Sequence, residues 1–356
     1  MIKILHSADW HLDAPMAGLT PEQKAVLQKA GRQLPGKIAQ LCIQEKCDLL
    51  FLAGDLFDGT PSRESVAGLQ AVLGGLDIPV IITPGNHDFC NPESPYIKEN
   101  WPENVHIFKK AQIESISFPE LDCRIYGVGY EGMDCPGLLK KFATEGTEKY
   151  HIGVFHGDVT TASSYFPITR NQLQDSGLCY VALGHIHKHG SITAGQTLCL
   201  WPGCPMGRGY DELGTKGVAL VSVDETVQAK MLALETPRFY DETLNVGGDA
   251  QAALAGILPA LSSEDFYRVT LTGYSDGLDL AVLQQQFAHV PNLTLRDETI
   301  PETELWKNID SDTLEGLLFS ALKEGADSPS ESLSEKAMLA ARICRSILDG
   351  QEVVLP

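Results

Sequence analysis

Five short segments of this 356-residue chain gather side chains able to hold metal ions and move protons. They are Asp9-Trp10-His11, Gly54-Asp55-Leu56-Phe57-Asp58, Gly85-Asn86-His87-Asp88, Phe155-His156-Gly157-Asp158 and Gly184-His185-Ile186-His187. Asp-x-His on a turn can direct a carboxylate and an imidazole at one ion, a mixed oxygen and nitrogen set suited to Mn, Fe or Zn. Asp55 can bridge two ions, since a carboxylate binds through both oxygens; the plain alternative is a cap on the following helix. Asn86 offers a neutral amide oxygen, or else simply turns the chain after Gly85. In His185-x-His187 alternate side chains of an extended segment face one pocket. His156 ends an apolar run, a position equally open to a satisfied core histidine. No cysteine falls in the five segments, which argues against a structural zinc site.

Taken together, Asp9, His11, Asp55, Asn86, His156, His185 and His187 suit two divalent ions about 3.5–4 Å apart, the arrangement for in-line displacement at phosphorus. Mn2+ is the expected metal, with Fe, Zn or Mg as alternatives. In this picture metal-activated hydroxide attacks the phosphorus and the ions neutralise the developing charge. His87 would point past the ions toward the leaving oxygen, as general acid or electrostatic stabiliser, and Asp88 would orient it. His6, His106, His151, His189 and His289 have no such placement, and structural or surface roles are expected for them.

Each segment follows an apolar run that reads as a strand: residues 3–5, 48–53, 78–82, 151–155 and 180–183. Helices are expected at 21–45 and at about 62–75, between the first three runs. Further strands are expected at 105–108, 115–118, 124–128 and 218–221. Two sheets packed face to face with helices outside would accommodate them, an α/β sandwich over residues 1–225 with the sites at strand C-terminal ends. Residues 237–300 read as a separate β-α-β-α-β unit. Within 310–356, a loop at 325–330 precedes Ser332-Leu333-Ser334-Glu335, which has capping-box spacing, and an amphipathic helix with Leu333, Ala337, Ala341, Cys344 and Leu348 on one stripe, ending at Gly350.

Composition narrows the function classes. Hydrophobic residues at 43% and charged residues at 21% suit a globular protein rather than a disordered one. No apolar run is long enough to span a membrane, and the N-terminus lacks a signal-peptide pattern. The nine cysteines form no CxxC pair, so a reduced, cytoplasmic protein is expected. A net charge of −20 argues against unaided binding to a phosphate backbone. Its distribution weakens the objection: residues 1–220 carry 18 basic and 24 acidic groups, and the remainder 9 and 23. Lys109-Lys110, Lys140-Lys141, Arg170, Lys188, Arg208 and Lys216 are candidate backbone contacts, or else solvated charges.

The five ordered motifs resemble those of the calcineurin-like metallophosphoesterases. The resemblance implies a four-layer α-β-β-α sandwich, with one ion on Asp9, His11, Asp55 and His187. The other would lie on the shared Asp55 with Asn86, His156 and His185, and His87 would be the catalytic histidine. Within that family, Ile4-Leu5-His6-Ser7-Ala8-Asp9-Trp10-His11-Leu12, Ala53-Gly54-Asp55-Leu56-Phe57-Asp58, Gly184-His185-Ile186-His187-Lys188 and Trp201-Pro202-Gly203-Cys204-Pro205 resemble the SbcD-type DNA repair nucleases. That implies an exo- or endonuclease hydrolysing DNA phosphodiesters, with 237–300 as a small α+β capping domain. It also implies an SbcC-like coiled-coil ATPase docked on the C-terminal helical tail, and a homodimer through 21–45. His156-Gly157-Asp158-Val159 departs from the SbcD pattern and leaves a related group of bacterial exonuclease-like phosphoesterases open. Two other readings stand beside the nuclease: a phosphatase or phosphodiesterase for nucleotides or other small esters, and a noncatalytic scaffold for an ATPase.

Overall fold

The computed structural model describes residues 1–350 apart from 161, 247, 248 and 262. Residues 351–356 of the expected docking segment, and 247, 248 and 262 of the expected capping region, thus lie outside the described residues. The chain divides into two compact units, Met1–Arg238 and Phe239 onward.

The first unit opens with β1 (Ile2–Ser7), α1 (Pro21–Glu45), β2 (Leu49–Leu52), α2 (Arg63–Gly74) and β3 (Val80–Ile82). The short α3 (Pro95–Lys98) leads to β4 (Val105–Ile107), β5 (Glu114–Phe118), β6 (Cys123–Gly127) and β7 (Tyr150–His156). After α4 (Arg170–Asp175) come β8 (Tyr180–Gly184), β9 (Gly190–Ala194), β10 (Thr197–Trp201), β11 (Gly217–Val223) and β12 (Val227–Ala233). They form two six-stranded sheets, β12-β11-β1-β2-β3-β4 and β5-β6-β7-β8-β10-β9. β1 to β4 run parallel to one another, and so do β6, β7, β8 and β10.

Strand alternation builds the layers. Leu50 and Leu52 of β2 pack against Leu34 and Ile38 of α1 and Leu69 and Leu73 of α2. Leu49 and Phe51, on the opposite face, meet Ile125, Ile152 and Val154 of the second sheet. Phe155 turns to that sheet's far side, among Phe166, Ile168 and Leu173 of α4. This is the expected helix–sheet–sheet–helix order, with an outer layer of one six-residue helix and loops.

Helix α1 starts at 21 because Thr20 and Gln23 satisfy each other's backbone N–H reciprocally and Pro21 needs no N–H partner. At the end of α2, Asn104 Nδ2 donates to the carbonyls of Leu73, Leu76 and Ile78 at 3.0, 3.0 and 3.1 Å. Its backbone carbonyl accepts from Val80 N, so this one residue ties the end of α2 to the start of β3 just ahead of β4. The first unit extends past 225 because β12 pairs along β11. β12 exposes most of its side chains and β9 alternates exposed with more buried ones, so neither left an apolar run to read.

The second unit begins with β13 (Phe239–Asn245), α5 (Ala250–Ile257), β14 (Phe266–Thr272), α6 (Leu280–Gln286) and β15 (Leu293–Asp297). The three strands form one parallel sheet, as their connections by helices require. Then follow α7 (Glu302–Leu305), α8 (Leu314–Ala326) and α9 (Glu331–Leu348). The capping box expected at Ser332 does not form. The helix starts earlier, with Ser330 as N-cap and no side-chain cap, and Ser334 Oγ donates instead to the Ala326 carbonyl. Leu333 and Leu348, expected on the apolar stripe, are exposed; Arg345 is buried, donating to the carbonyls of Leu305 and Lys307 over the Phe319 ring.

Asn104→Ala should cost about 1–3 kcal/mol, because it removes the side-chain donor of the Leu76 and Ile78 carbonyls, while Leu73 keeps its backbone donor from Leu76 N. Urea unfolding of the full chain measures this. A change under about 0.5 kcal/mol would show that water replaces the amide.

Candidate metal centre

All five polar segments leave the C-terminal ends of parallel strands: β1, β2 and β3 in one sheet, β7 and β8 in the other. Backbone bonds knit the first two together, with Asp9 N, His11 N and Leu12 N donating to the carbonyls of Gly54, Asp55 and Leu56 at 2.9–3.0 Å. Asp9, His11, Asp55 and His185 all have positive φ, from 46° to 91°. Such conformations cost non-glycine residues roughly 1–3 kcal/mol each, and they persist where surrounding contacts over-determine them. Two glycines admit the close approach: a Cβ on Gly184 would fall on the Ala53 carbonyl, and one on Gly85 on the Asp55 carboxylate.

The side chains converge as acceptors. His156 Nδ1 lies 2.9 Å from the Ala53 carbonyl, so it must carry the proton, and Nε2 is left to face inward. That Nε2 lies 3.0 Å from Asn86 Oδ1 and 3.2 Å from Asp55 Oδ2. His187 is fixed likewise, its Nδ1 on Glu212 Oε1 at 2.6 Å and its Nε2 3.2 Å from His11 Nε2. His11 Nε2 is 3.7 Å from Asp55 Oδ2, and His187 Nε2 is 3.9 Å from Asp9 Oδ1. Asp9 Oδ2 and His11 Nδ1 are buried without a hydrogen-bond partner among the described residues. Lone pairs pointing at one another in a water-poor space repel unless a cation or protons lie between them. Mixed carboxylate, amide and imidazole donors fit a divalent transition metal. Three groups bring their donor atoms within 4.8 Å: Asp9, His11 and His187; Asp9, Asp55 and His156; and His11, Asp58 and His87.

Burial and charge set the protonation of the metal-free cluster. Burial pushes the Asp9 carboxyl up to about 6, against the pull of His156. Burial works against a charge on Asp55 too, but His156 and hydrogen bonds outweigh it and hold that carboxyl well below the usual range. Burial likewise opposes a charge on His156, which Asp55 and Asp9 nevertheless lift to about 9. Burial, with Arg208 nearby, lowers His11 to about 3, and burial beside His156 lowers His185 to about 4; both stay neutral and ligand-competent at neutral pH.

The structure also rearranges the expected supporting cast. Asp88 does not touch His87. It is buried and accepts from Leu56 N at 2.8 Å, Gly85 N at 2.7 Å and Tyr96 Oη at 2.6 Å, clamping two ligand-bearing loops. Its carboxylate turns inward because those donors would otherwise be buried unpaired. Asp58 is the partner of His87, with Oδ1 3.1 Å from Nδ1. The His185 ring belongs to none of the three groups; it lies 5.3 Å from the His156 ring and 4.5 Å from that of Tyr165, while its backbone N–H donates to Asp9 Oδ1. Glu212 and Arg208 were not foreseen as one device: Arg208 Nη2 donates to Glu212 Oε1 at 3.0 Å, and Glu212 orients His187. Their four-residue spacing, after a strand end, was the available signal.

Residues 2–189 match the family model described as calcineurin-like phosphoesterase. The metallophosphoesterase YhaO of Bacillus subtilis (strain 168) is 32% identical over 245 residues, 62% of this chain and 57% of that protein. A component of the nuclease SbcCD from Staphylococcus epidermidis is 33% identical over 125 residues, 33% of this chain and 31% of that protein. The chain thus spans less than two thirds of the length of either relative. Among solved structures, a dimetal phosphatase from Danio rerio aligns over 65% of this chain and 95% of its own, with 12% identity and a TM-score of 0.44.

An ion that takes His156 Nε2 must displace its proton, which the metal-free chain holds up to a pH of about 9. Mn2+ affinity should therefore rise about tenfold per pH unit through neutrality and level off above that value. Calorimetry in buffers of different ionisation enthalpy measures the released proton. No release at pH 7 would contradict a proton on His156 Nε2 that the metal must displace.

Proposed function

The chain belongs to the calcineurin-like phosphoesterases, and on that premise we propose that it is a dinuclear-metal-dependent phosphodiesterase. Its proposed substrate is DNA, which it would cut as the nuclease component of a complex with a coiled-coil ATPase. The observation that carries the catalytic reading is the convergence of Asp9, His11, Asp55, Asn86, His156 and His187 as facing acceptors, with Asp9 Oδ2 unpartnered. Asp9, His11, Asp55 and His187 would hold one ion, and Asp55, Asn86, His156 and His185 the other. Divalent ions there would supply water of lowered pKa and neutralise charge on the phosphoryl oxygens.

The chain's own residues do the rest. His87 is partly exposed; with Nδ1–H donating to Asp58, its imidazolium form would carry on Nε2 the proton given to the leaving oxygen, and the ring would be left neutral. Asp58 orients the His87 ring, and Glu212 holds His187 in the tautomer that turns a bare Nε2 inward. Arg208, part-exposed beside both carboxylates, offers remaining donors to a phosphoryl oxygen. Similarity to a nuclease component over a third of the chain supports DNA as substrate, and a net charge of only −6 on residues 1–220 does not exclude it. Leu314, Leu317 and Leu318, exposed on α8, suit the proposed docking of a coiled coil.

With Mn2+, His87→Ala should lower kcat on bis(4-nitrophenyl) phosphate by about 10²–10⁴-fold while Mn2+ still binds. Undiminished turnover would remove His87 from the mechanism. Single- and double-stranded DNA should be cut under the same conditions. Turnover of the small ester with no DNA cleavage, even beside the ATPase, would assign a small phosphate ester instead.

A further inference from the structure

A cleft of about 650 Å³ opens between α1 and α2, and its lining includes His11 and Arg208 of the metal cluster. That size falls within the range of small-molecule sites, roughly 300–1,000 Å³. Its walls are Leu27 and Gly31 of α1 and Gly68, Leu69 and Val72 of α2, with Met206 also lining it. Gln28, Arg32 and Glu64 bring exposed polar groups to the same space.

Two features separate this cleft from an incidental gap between helices. Glycine is the poorest helix former after proline, yet both helices place one here. A Cβ on Gly68 would have nothing within 4 Å, and one on Gly31 would only touch Met206 and Leu12 at 3.7 and 3.9 Å. Core packing therefore does not demand glycine at either position; both keep the space clear. The wall is also fixed in place. The Asp13 carboxylate accepts from Ser62 N at 2.7 Å and Ser65 Oγ at 2.9 Å, tying the first turn of α2 to the loop that carries Asp9 and His11.

Resting on the phosphoesterase reading above, we infer that this cleft is a substrate subsite. It receives the nucleoside-sized organic group attached to the phosphoryl that reacts at the metal cluster. Aliphatic and thioether walls take the flat face of a base, and Gln28, Arg32 and Glu64 bond its polar edge or the sugar. Continuity with His11 and Arg208 favours a substrate's own substituent over a separate ligand, because one molecule then spans both places.

The test compares two esters with the Mn2+-loaded full chain, thymidine 5′-(4-nitrophenyl) phosphate and methyl 4-nitrophenyl phosphate. They share a leaving group and differ only in the group meant for the cleft. Wild type should favour the thymidine ester in kcat/KM by about tenfold or more. Gly68→Leu, which fills the cleft, should collapse that preference mainly through KM. Val72→Phe, one turn along the same wall, should do the same and guards against a folding defect peculiar to position 68. Equal kcat/KM for the two esters in wild type, or a preference that survives both variants, would overturn the subsite. So would a change of oligomeric state in both variants by light scattering with both esters slowed alike, which would make the cleft an interface between copies. If wild type turned over neither ester, the phosphoesterase reading itself would fail, and this inference with it.

Discussion

The buried contact between Asp55 and His156 governs the rest of the structure. A carboxylate and an imidazole 3.2 Å apart, both nearly inaccessible to water, are tolerable only with balanced charge. Balance fixes what surrounds them. The Ala53 carbonyl holds the proton on His156 Nδ1, and the backbone N–H of His87 donates to Asp55 Oδ1. Gly85 and Gly184 leave the room that these approaches need. The two sheets serve as a rigid base whose parallel strands deliver five loops to one end. The left-handed conformations of Asp9, His11, Asp55 and His185 represent stability given up so that their side chains face inward.

Much of this was legible in the sequence because it is carried by local patterns. Strand β2 is a run of four apolar residues ending at Gly54-Asp55, and α1 is announced by Thr20, Pro21 and Gln23. The order of the five segments conveyed what no segment could alone, since strand ends in one α/β sandwich meet at one edge. What stayed hidden depends on contacts between distant residues. Asp88 beside His87 suggested an orienting pair, but a buried carboxylate goes where several N–H groups and Tyr96 need it, leaving Asp58, 29 residues away, beside His87. Glu212 acquires its role only when the chain after β10 returns past His187. In α9 Ala337 and Ala341 are buried as the stripe requires, but Leu333 and Leu348 at its ends are exposed, and Arg345 is buried because it satisfies the open carbonyls of a neighbouring turn.

Charge acquires a more local meaning from the fold. The acidic groups of the centre are the cluster's own proposed ligands and their supports, which divalent ions would offset. Arg208 is a cation of the first unit tied directly into it. The cleft between α1 and α2 extends the same centre with an apolar wall. A phosphodiester would thus be gripped by metal charge and Arg208 at the phosphoryl and by hydrophobic contact on one side. Such a division permits turnover by a strongly acidic chain without a broad basic surface.

One buried carboxylate, Asp55, is proposed to serve two ion sites. Calorimetric titration of the full chain with Mn2+, in wild type and in Asp55→Asn, tests it most directly. Two ions per chain are expected in wild type, with loss of both high-affinity sites together in Asp55→Asn. A single ion in wild type, or an Asp55→Asn chain that still binds two ions as tightly, would contradict it.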